Sequence, residues 1–565
     1  MFRTQALLTA VVLSAAATRS HAQTPFDLVE APQLWFSGDT HVHSQFCIGP
    51  VQFPDFTTEQ LLFLQESFEL DVVFNQFWNP PYTEEGVQRY LEEYAPQITG
   101  EPFLCPNEPE KQMLYGVEVS GFKASQFGHL HGLNLTDGFF PTDSVYTGPI
   151  LDHFRDQPGA VTGYAHIHWP GKVENFEAFP DFEYPHLPYM APIDVAHGKV
   201  DFLEVLGHTT GGWKSLYYKL LNAGLRTGLS GASDNCGWLI GYGRTYAQVD
   251  ETPMTAKSWL RSLAQGRTSI SLNIHKTARF LELTIDGEVP GSQIILPQPK
   301  HLSVDARLHT SEGSEHAATG EFELIFNGKV VDTQKYKLPE GGVAIYKKNF
   351  AAPRSGWVAV RTEHTHTAPV YVYVADEPIA EPDDTAYFVR YAELLEANIE
   401  NFELGDSGPD VVAYIRSAGA ALQARAALNE ELPFGVATHG DSTPSSLGPL
   451  RIGVSAAPVI GTSDFRVTCV GAPPEAKGFL VISRTPDLSG NDLDNATIYL
   501  DANAPYLAAQ VFSTEGGYAE LTFPTPDYMA GGQLWMQYVW VNPDPAAGGE
   551  LSASPGMLVT FHEAD

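Results

Sequence analysis

The stretch Gly38-Asp39-Thr40-His41-Val42-His43-Ser44 is the part of the sequence on which the interpretation of the whole chain depends. Apolar residues at 34–36 lead into it, which predicts the end of a buried strand. Because side chains on a strand alternate between two faces, Asp39, His41 and His43 are expected to point the same way. Two imidazoles at this spacing can bind one metal ion. An isolated His-x-His is more often an ordinary pair of turn histidines, so the residues that follow decide between the two interpretations.

Length and composition limit the classes of protein that this sequence can encode. The chain has 565 residues, which predicts roughly two to four domains because a single core rarely extends over such a length. The formal net charge of −35 repels phosphate backbones and anionic lipid, so we expect no nucleic-acid partner. A hydrophobic content of 43% with 12% aromatic residues excludes a disordered acidic protein.

The amino-terminal residues predict export. Residues 1–22 have the order of a secretory signal: Arg3, an apolar run from Ala6 to Ala17, and small residues before Gln23. No later stretch is long enough to cross a bilayer, so we expect no membrane insertion and a periplasmic or extracellular location. Export permits disulfides, and no zinc motif is formed by the four cysteines, Cys47, Cys105, Cys236 and Cys469.

Several predicted strands end in residues that can bind metals: His41 and His43, then Glu118, His166 and Asp234. Glu118 stands among apolar neighbours, where an unpaired carboxylate would be costly, so a cation or strong donors should meet it. Strands that alternate with helices predict a parallel α/β domain. In such domains the carboxyl ends of the strands build the site, and these residues lie at predicted strand ends.

The remaining sequence predicts further domains. Residues 23–275 contain all the candidate ligands and form the predicted metallohydrolase domain. Alternating apolar residues predict an antiparallel β-sandwich over 276–380, and a helical segment follows at 381–432. A linker rich in Gly, Ser, Thr and Pro covers 433–448, and a carboxy-terminal β-domain covers 449–565.

Taken together, these motifs resemble the polymerase and histidinol phosphatase (PHP) superfamily, and more closely its carbaryl-hydrolase-like branch. The resemblance covers about 23–380, and its order and spacing are more specific than any one motif. It rests on the following residues: Gly38 to Ser44, Gly116-Val117-Glu118, Gly128-His129, His166, Gly231-Ala232-Ser233-Asp234, Gly243-Arg244-Thr245-Tyr246, Ser258-Trp259-Leu260, Gly266-Arg267-Thr268 and Asp286 to Gly291.

The resemblance implies a fold, a ligand set and a cofactor. The implied fold is α/β, with a PHP-like (β/α) barrel as catalytic domain, followed by β-sandwich domains and a short helical segment. Six ligands for two divalent metal ions are implied: His41, His43 and Asp234 for one, Glu118 as a bridge, and His129 and His166 for the other. Zinc is the first expectation, with manganese or iron as alternatives, because mixed imidazole and carboxylate ligands suit all three. Glu118 and Asp234 are the implied catalytic residues.

The chain departs from the superfamily at two places. Asn75-Gln76-Phe77 stands where Thr-Asp-His is usual, and Asn235-Cys236-Gly237 stands where a histidine often follows the last aspartate. In the superfamily those two histidines serve a third metal. Their absence implies a two-metal site or a degraded one.

Neighbouring histidines leave part of the assignment open. His131 shares a face with His129, and His168 shares a face with His166, so either could replace its neighbour as ligand. His168, His208 and Arg244 are also candidates for contacts with a substrate. A structural role is favoured for the other polar residues near the motifs: His197, Glu204 and the second His-x-His, His364-Thr365-His366.

The resulting hypothesis is an exported metal-dependent hydrolase with a small-molecule substrate. A metal-bound hydroxide would attack an ester, amide, carbamate or phosphoester bond. The resemblance favours carbon esters and carbamates, and no cluster of Lys or Arg beside the motifs indicates a phosphate pocket. The alternative is a catalytically inactive PHP-like domain in a secreted or cell-surface protein whose β-domains contact glycan or protein.

Overall fold

The computed structural model describes most of the chain: residues 34–44, 56–77, 83–167, 179–180, 182, 187–207, 212–235, 239–272, 279–310, 318–338, 342–501, 503–543 and 549–563. The predicted signal at 1–22 lies outside these residues, as do Cys47, Cys236, His168 and His208. Cys105 and Cys469 are free thiols buried in the protein. No helix within the described ranges is long and apolar enough to cross a membrane.

The amino-terminal region contains the first ten strands and six helices of the described chain. The strands are β1 (Leu34–Val42), β2 (Val72–Phe77), β3 (Phe103–Leu104), β4 (Gln112–Val119), β5 (Leu130–Leu133), β6 (Val161–Tyr164), β7 (Phe202–Leu206), β8 (Gly228–Ala232), β9 (Arg244–Val249) and β10 (Thr268–Ser271). The helices are α1 (Thr58–Ser67), α2 (Glu84–Arg89), α3 (Gly148–Arg155), α4 (Ala191–His197), α5 (Trp213–Asn222) and α6 (Ala256–Ala264).

The next region forms a β-sandwich whose strands are β11 (Arg279–Ile285), β12 (Gln293–Leu296), β13 (Lys300–Thr310), β14 (Ala318–Phe326), β15 (Lys329–Leu338), β16 (Val343–Ala352), β17 (Gly356–Arg361), β18 (Thr365–Thr367) and β19 (Val370–Val374). One layer is the three-stranded sheet β11-β13-β16. The other layer belongs to a sixteen-stranded sheet that continues into the amino-terminal region, in the order β12-β19-β17-β18-β10-β9-β1-β2-β4-β5-β6-β7-β8, with β14, β15 and β3 at its sides. Apolar side chains from both layers, such as Leu283 and Val358, fill the space between them.

The predicted α/β class with its (β/α) barrel is wrong. The protein is mostly β-sheet, and its large sheet is mixed. β1–β2, β2–β4, β6–β7 and β7–β8 are parallel pairs, but β5 is antiparallel to both β4 and β6, and β9 and β10 add antiparallel strands beside β1. The connection at 120–129 is too short for the crossover of about a dozen residues that a parallel pair needs. This short connection forces the reversal at β5.

Two long helices and a second β-region complete the chain. The helices are α7 (Pro382–Ala397) and α8 (Gly408–Ala426). The strands are β20 (Val436–His439), β21 (Arg451–Val454), β22 (Phe465–Val470), β23 (Lys477–Ser483), β24 (Pro486–Leu493), β25 (Ala496–Leu500), β26 (Tyr506–Phe512), β27 (Tyr518–Phe523), β28 (Gln533–Val541), β29 (Leu551–Ala553) and β30 (Gly556–Thr560). Their apolar side chains form a separate core that includes Trp540 and Met557.

The carboxy-terminal regions are anchored to the amino-terminal region by polar contacts. On α8, the Tyr414 hydroxyl donates to the buried carboxylate of Asp194 at 2.6 Å. The Gly516 amide donates to the His197 carbonyl at 3.1 Å, so the loop before β27 touches the end of α4. Arg155 of α3 donates to Glu515 at 2.8 Å. These contacts fix the later domains against the part of the fold that carries the site.

Candidate metal centre

The first two candidate ligands lie at the end of β1, where their outer nitrogens are held by buried acceptors. His41 Nδ1 is 2.8 Å from Glu204 Oε1, and His43 Nδ1 is 3.0 Å from the Gln76 carbonyl oxygen. A carbonyl or carboxylate oxygen only accepts, so each Nδ1 carries the ring proton. When the ring is neutral, its Nε2 atom therefore presents a lone pair.

These lone pairs converge with two carboxylates. His41 Nε2 and His43 Nε2 are 3.0 Å apart. Glu118 Oε2 lies 3.5 and 3.3 Å from the two nitrogens, and Asp234 Oδ1 lies 3.4 Å from each. A tetrahedral ion with bonds of about 2.0–2.1 Å would hold its ligand atoms about 3.3–3.4 Å apart, so the spacing fits a zinc-sized ion.

A second group uses the other oxygen of Glu118. His129 Nδ1 lies 2.8 Å from Glu118 Oε1, and His166 Nε2 lies 3.4 Å from the same oxygen. The two imidazole nitrogens are 3.2 Å apart. Burial lowers the pKa of His129, which favours the neutral ring that a metal requires. Glu118 on β4 is thus shared by both groups.

Residues with a positive φ lie next to or at several of the ligands and bring them together. His166 has φ of 29° and Asp234 has φ of 46°, a region that residues other than glycine rarely adopt. The Asp234 amide donates to the His41 carbonyl at 2.9 Å, which fixes the turn after β8 against β1. Gly128 precedes His129 with φ of 116°, and a Cβ there would lie 2.7 Å from Pro188. Such strain is typical of a site whose geometry the surrounding fold enforces.

Asp39 has a different role from the two histidines that follow it. Its carboxylate accepts hydrogen bonds from the Ser233 hydroxyl at 2.6 Å and from the Gly241 amide at 2.7 Å. Burial raises the pKa of Asp39 to about 6, although these donors oppose the shift. Asp39 therefore holds the segment that carries Asp234.

The pKa values show how strongly the carboxylates act on the imidazoles. Burial disfavours a charged His41, but Glu204, Asp234 and Glu118 outweigh it and keep the pKa of His41 well above its usual value. Burial likewise opposes the charge on His43, and hydrogen bonds with Asp234 and Glu118 raise its pKa to about 9. The histidines in turn hold the pKa of both carboxyl groups below the usual range, against the effect of burial. The cluster attracts positive charge, so protons and metal ions would compete for it.

The structure therefore contains buried His, Glu and Asp side chains in positions that can bind a metal ion. All six residues of the predicted ligand set fall into these groups: His41, His43 and Asp234 in one, and Glu118, His129 and His166 in another. His131 contacts Glu204 instead, with Nε2 2.8 Å from Oε2. The Asp234 side chain is 24% exposed, more than its partners, and marks the open side of the centre.

The other residues considered as contacts or ligands lie in different surroundings. Arg244 is buried, and its guanidinium donates to the carbonyls of Gly241 and Phe68, which take up part of its hydrogen-bonding capacity. His197 Nε2 donates to the Tyr414 carbonyl at 3.0 Å. In the segment 75–77, where the superfamily has Thr-Asp-His, the Asn75 side chain accepts from the Ser44 amide at 3.0 Å and so supports the end of β1.

Glu204 contacts the site more directly than its position in the sequence predicts. It was expected to be structural, yet its carboxylate contacts His41 directly and accepts from the His166 amide at 3.1 Å. The only signal for it in the sequence is a carboxylate inside the apolar run Phe202-Leu203-Glu204-Val205-Leu206. Glu118 stands in the same kind of run, so the pattern was present but did not show what each carboxylate meets.

Comparisons with known proteins add no family. No family model matches the chain, and no curated protein matches it. Among solved structures, PsfC from Pseudomonas syringae PB-5123 aligns over 42% of this chain and 91% of its own, with 17% identity and a TM-score of 0.28. A tetra-tandem repeat of a large adhesion protein aligns over 56% of this chain and 55% of its own (9%, TM-score 0.17), and E. coli alpha-2-macroglobulin over 57% and 16% (10%, TM-score 0.14). These scores are too low to establish a shared fold.

Proposed function

We propose that this protein is an exported metal-dependent hydrolase that binds two divalent cations, zinc being the first expectation, and acts on a small-molecule substrate. The observation that carries the proposal is the convergence of His41 Nε2 and His43 Nε2, 3.0 Å apart, with Glu118 and Asp234 oxygens. Buried acceptors that face each other repel unless a cation lies between them. Export is proposed from residues 1–22, and the relation to the PHP superfamily from the quoted motifs alone.

Each ligand has a distinct task in the proposed reaction. Glu118 offers one oxygen to each group, so it would hold the two cations at a fixed separation. The cations would lower the pKa of a water molecule and polarise the bond to be cleaved. Asp234 lies on the more exposed side, where it could orient the attacking water. His129 and His166 would be the other ligands of the second group.

Carbon esters and carbamates are the proposed substrate class. The β-domains are proposed to contact glycan or protein. The resemblance to the carbaryl-hydrolase-like branch favours these bonds over phosphoesters. The contacts of Arg244 with backbone carbonyls are consistent with that preference, because they reduce its capacity to bind a substrate phosphate. A surface of net charge −35 also disfavours polyanionic substrates.

Metal content and hydrolysis test the proposal. Protein dialysed against metal-free buffer and reloaded with zinc or manganese should contain two ions per chain by elemental analysis. It should hydrolyse members of a panel of aryl esters, carbamates and phosphoesters. The His366→Ala variant, altered at the other His-x-His, serves as the matched control and should retain both ions. A wild-type protein without bound metal would contradict the proposal and favour the inactive binding protein.

A further inference from the structure

Glu204 lies on β7 with its side chain fully buried, and its two oxygens meet residues of both ligand groups. Oε1 accepts from His41 Nδ1 at 2.8 Å and from the His166 backbone amide at 3.1 Å. Oε2 lies 2.8 Å from His131 Nε2 and accepts from the Thr40 hydroxyl at 3.2 Å. One carboxylate thus touches His41 of the first group and His166 of the second.

We propose that Glu204 is a positioning residue that prepares both metal groups before a cation binds; this inference rests on the proposed function. Its contact with His41 Nδ1 fixes the tautomer in which Nε2 has the lone pair. A carboxylate at the far nitrogen also makes an imidazole a stronger ligand. The two metal groups are therefore prepared by one buried side chain.

The turn at His166 is the second feature that depends on Glu204. Its φ of 29° costs free energy, and such backbone persists only where other contacts hold it. Glu204 supplies two of these contacts, because its carboxylate accepts from the His166 amide and its carbonyl accepts from the Ile167 amide at 3.1 Å. Loss of the carboxylate would remove one of these two contacts and let His166 Nε2 move away from Glu118.

A third metal ion between His41, His131 and Glu204 is the competing explanation, since these side chains also lie close together. It would require His41 to bind a cation at each ring nitrogen, which demands loss of both ring protons. Donation from His41 Nδ1 to Glu204 requires no such deprotonation and leaves Nε2 for the first group. Hydrogen bonding therefore explains the cluster of His41, His131 and Glu204 without the free-energy cost of removing both ring protons of His41.

The experiment compares Glu204→Gln with the wild-type full chain by titrating the metal-free protein with zinc against a chromogenic chelator. Glutamine keeps the volume and an acceptor for His41 Nδ1, but it removes the negative charge that strengthens His41 as a ligand. We expect zinc affinity at both sites to fall about 10- to 100-fold, as for other partners of metal-bound histidines, with two ions still bound at saturation. Glu204→Asp keeps the charge with a shorter reach and should give an intermediate loss.

Asp194→Asn is the matched control for burial of a carboxylate. Asp194 is fully buried and accepts from the hydroxyls of Thr147, Tyr164 and Tyr414, each at 2.6 Å. This variant should lose stability in urea without any change in zinc affinity. If it weakened zinc binding as much as Glu204→Gln, the effect would be general destabilisation and the inference would be overturned.

Other outcomes are equally decisive. Unchanged affinity in Glu204→Gln, or in Glu204→Asp should the glutamine variant not fold, would overturn the positioning role. Loss of one ion with unchanged affinity for the rest would show that Glu204 is itself a ligand. In both cases the wild type would still bind metal, so the proposed function would stand. Only a wild type that binds no zinc would remove both.

Discussion

The same three-residue pattern occurs twice in one sheet, and the two copies have opposite surroundings. His41 and His43 end β1 with their Nε2 atoms 3.0 Å apart and facing two carboxylates. His366 on β18 has both nitrogens satisfied by complementary partners, because Nδ1 donates to the Thr367 carbonyl and Nε2 accepts from the Tyr218 hydroxyl, each at 2.6 Å.

The difference shows that spacing alone does not make a metal site. At His366 each acceptor meets a donor, so the cluster is complete without an ion. At His41 and His43 the two Nε2 atoms face each other and two carboxylates, and a proton or a metal ion between them would relieve the repulsion between these acceptors. The pKa values follow the same division: that of His43 is raised to about 9 against the effect of burial, whereas burial lowers that of His366 to about 3.

The largest effect is expected from removing the charge that the first pair faces. Glu118→Gln should reduce hydrolysis about 1,000-fold or more, because it removes an anion shared by both cations. Asp234→Asn should also lose activity by orders of magnitude. Turnover of the best substrate in the panel, measured with elemental analysis, checks this. Near-normal turnover in Glu118→Gln with metal retained would refute the ligand assignment.

The next test compares one alanine variant from each of the two His-x-His motifs. His43→Ala should lose metal from the first group, whereas His366→Ala should keep both ions. The second variant should instead lose about 1–3 kcal/mol of unfolding free energy, because the buried Tyr218 hydroxyl is left without its acceptor. Elemental analysis and urea unfolding separate the two effects. Metal loss from His366→Ala would contradict the conclusion that only the first motif takes part in metal binding.

The pH dependence of stability gives a smaller but specific signal. Burial lowers the pKa of folded His366 to about 3, so the folded protein keeps this ring neutral at mildly acidic pH. In the unfolded chain the same histidine binds a proton below about pH 6.5. The wild type should therefore lose stability as the pH falls, by about 2–3 kcal/mol between pH 7.5 and 4.5 from this residue. His366→Gln lacks this loss, so its stability deficit relative to wild type should shrink at pH 4.5 in urea unfolding. A deficit that stays constant or grows would contradict the buried neutral state.

The smallest effect is expected at the other member of the second motif. His364 is partly exposed, with a side-chain accessibility of 24%, and its Nε2 lies 3.8 Å from Glu363. His364→Ala should change the unfolding free energy by less than about 0.5 kcal/mol and leave metal content unaltered. Loss of metal from this variant, measured in the same assay as for His43→Ala, would show that the second motif takes part in a site.

The sequence was informative about local structure and chemistry. A run of apolar residues predicted a strand where β4 lies, and the carboxylate within it predicted a cation or strong donors near Glu118. The structure brings Glu118 together with the predicted histidines. The position of Glu118 was informative because burial of a charged group in an apolar strand has few physical solutions.

Strand order and side-chain partners could not be predicted in this way. The reversal at β5 and the antiparallel strands β9 and β10 depend on hydrogen bonds between residues far apart in the chain, so the expected (β/α) barrel was wrong. The pattern around Glu204 resembles that around Glu118, yet Glu204 accepts from a backbone amide, whereas Glu118 faces the Nε2 atoms of two histidines. Local sequence determines which residues are buried, whereas the polarity of what each buried group faces is decided only when distant strands pack together.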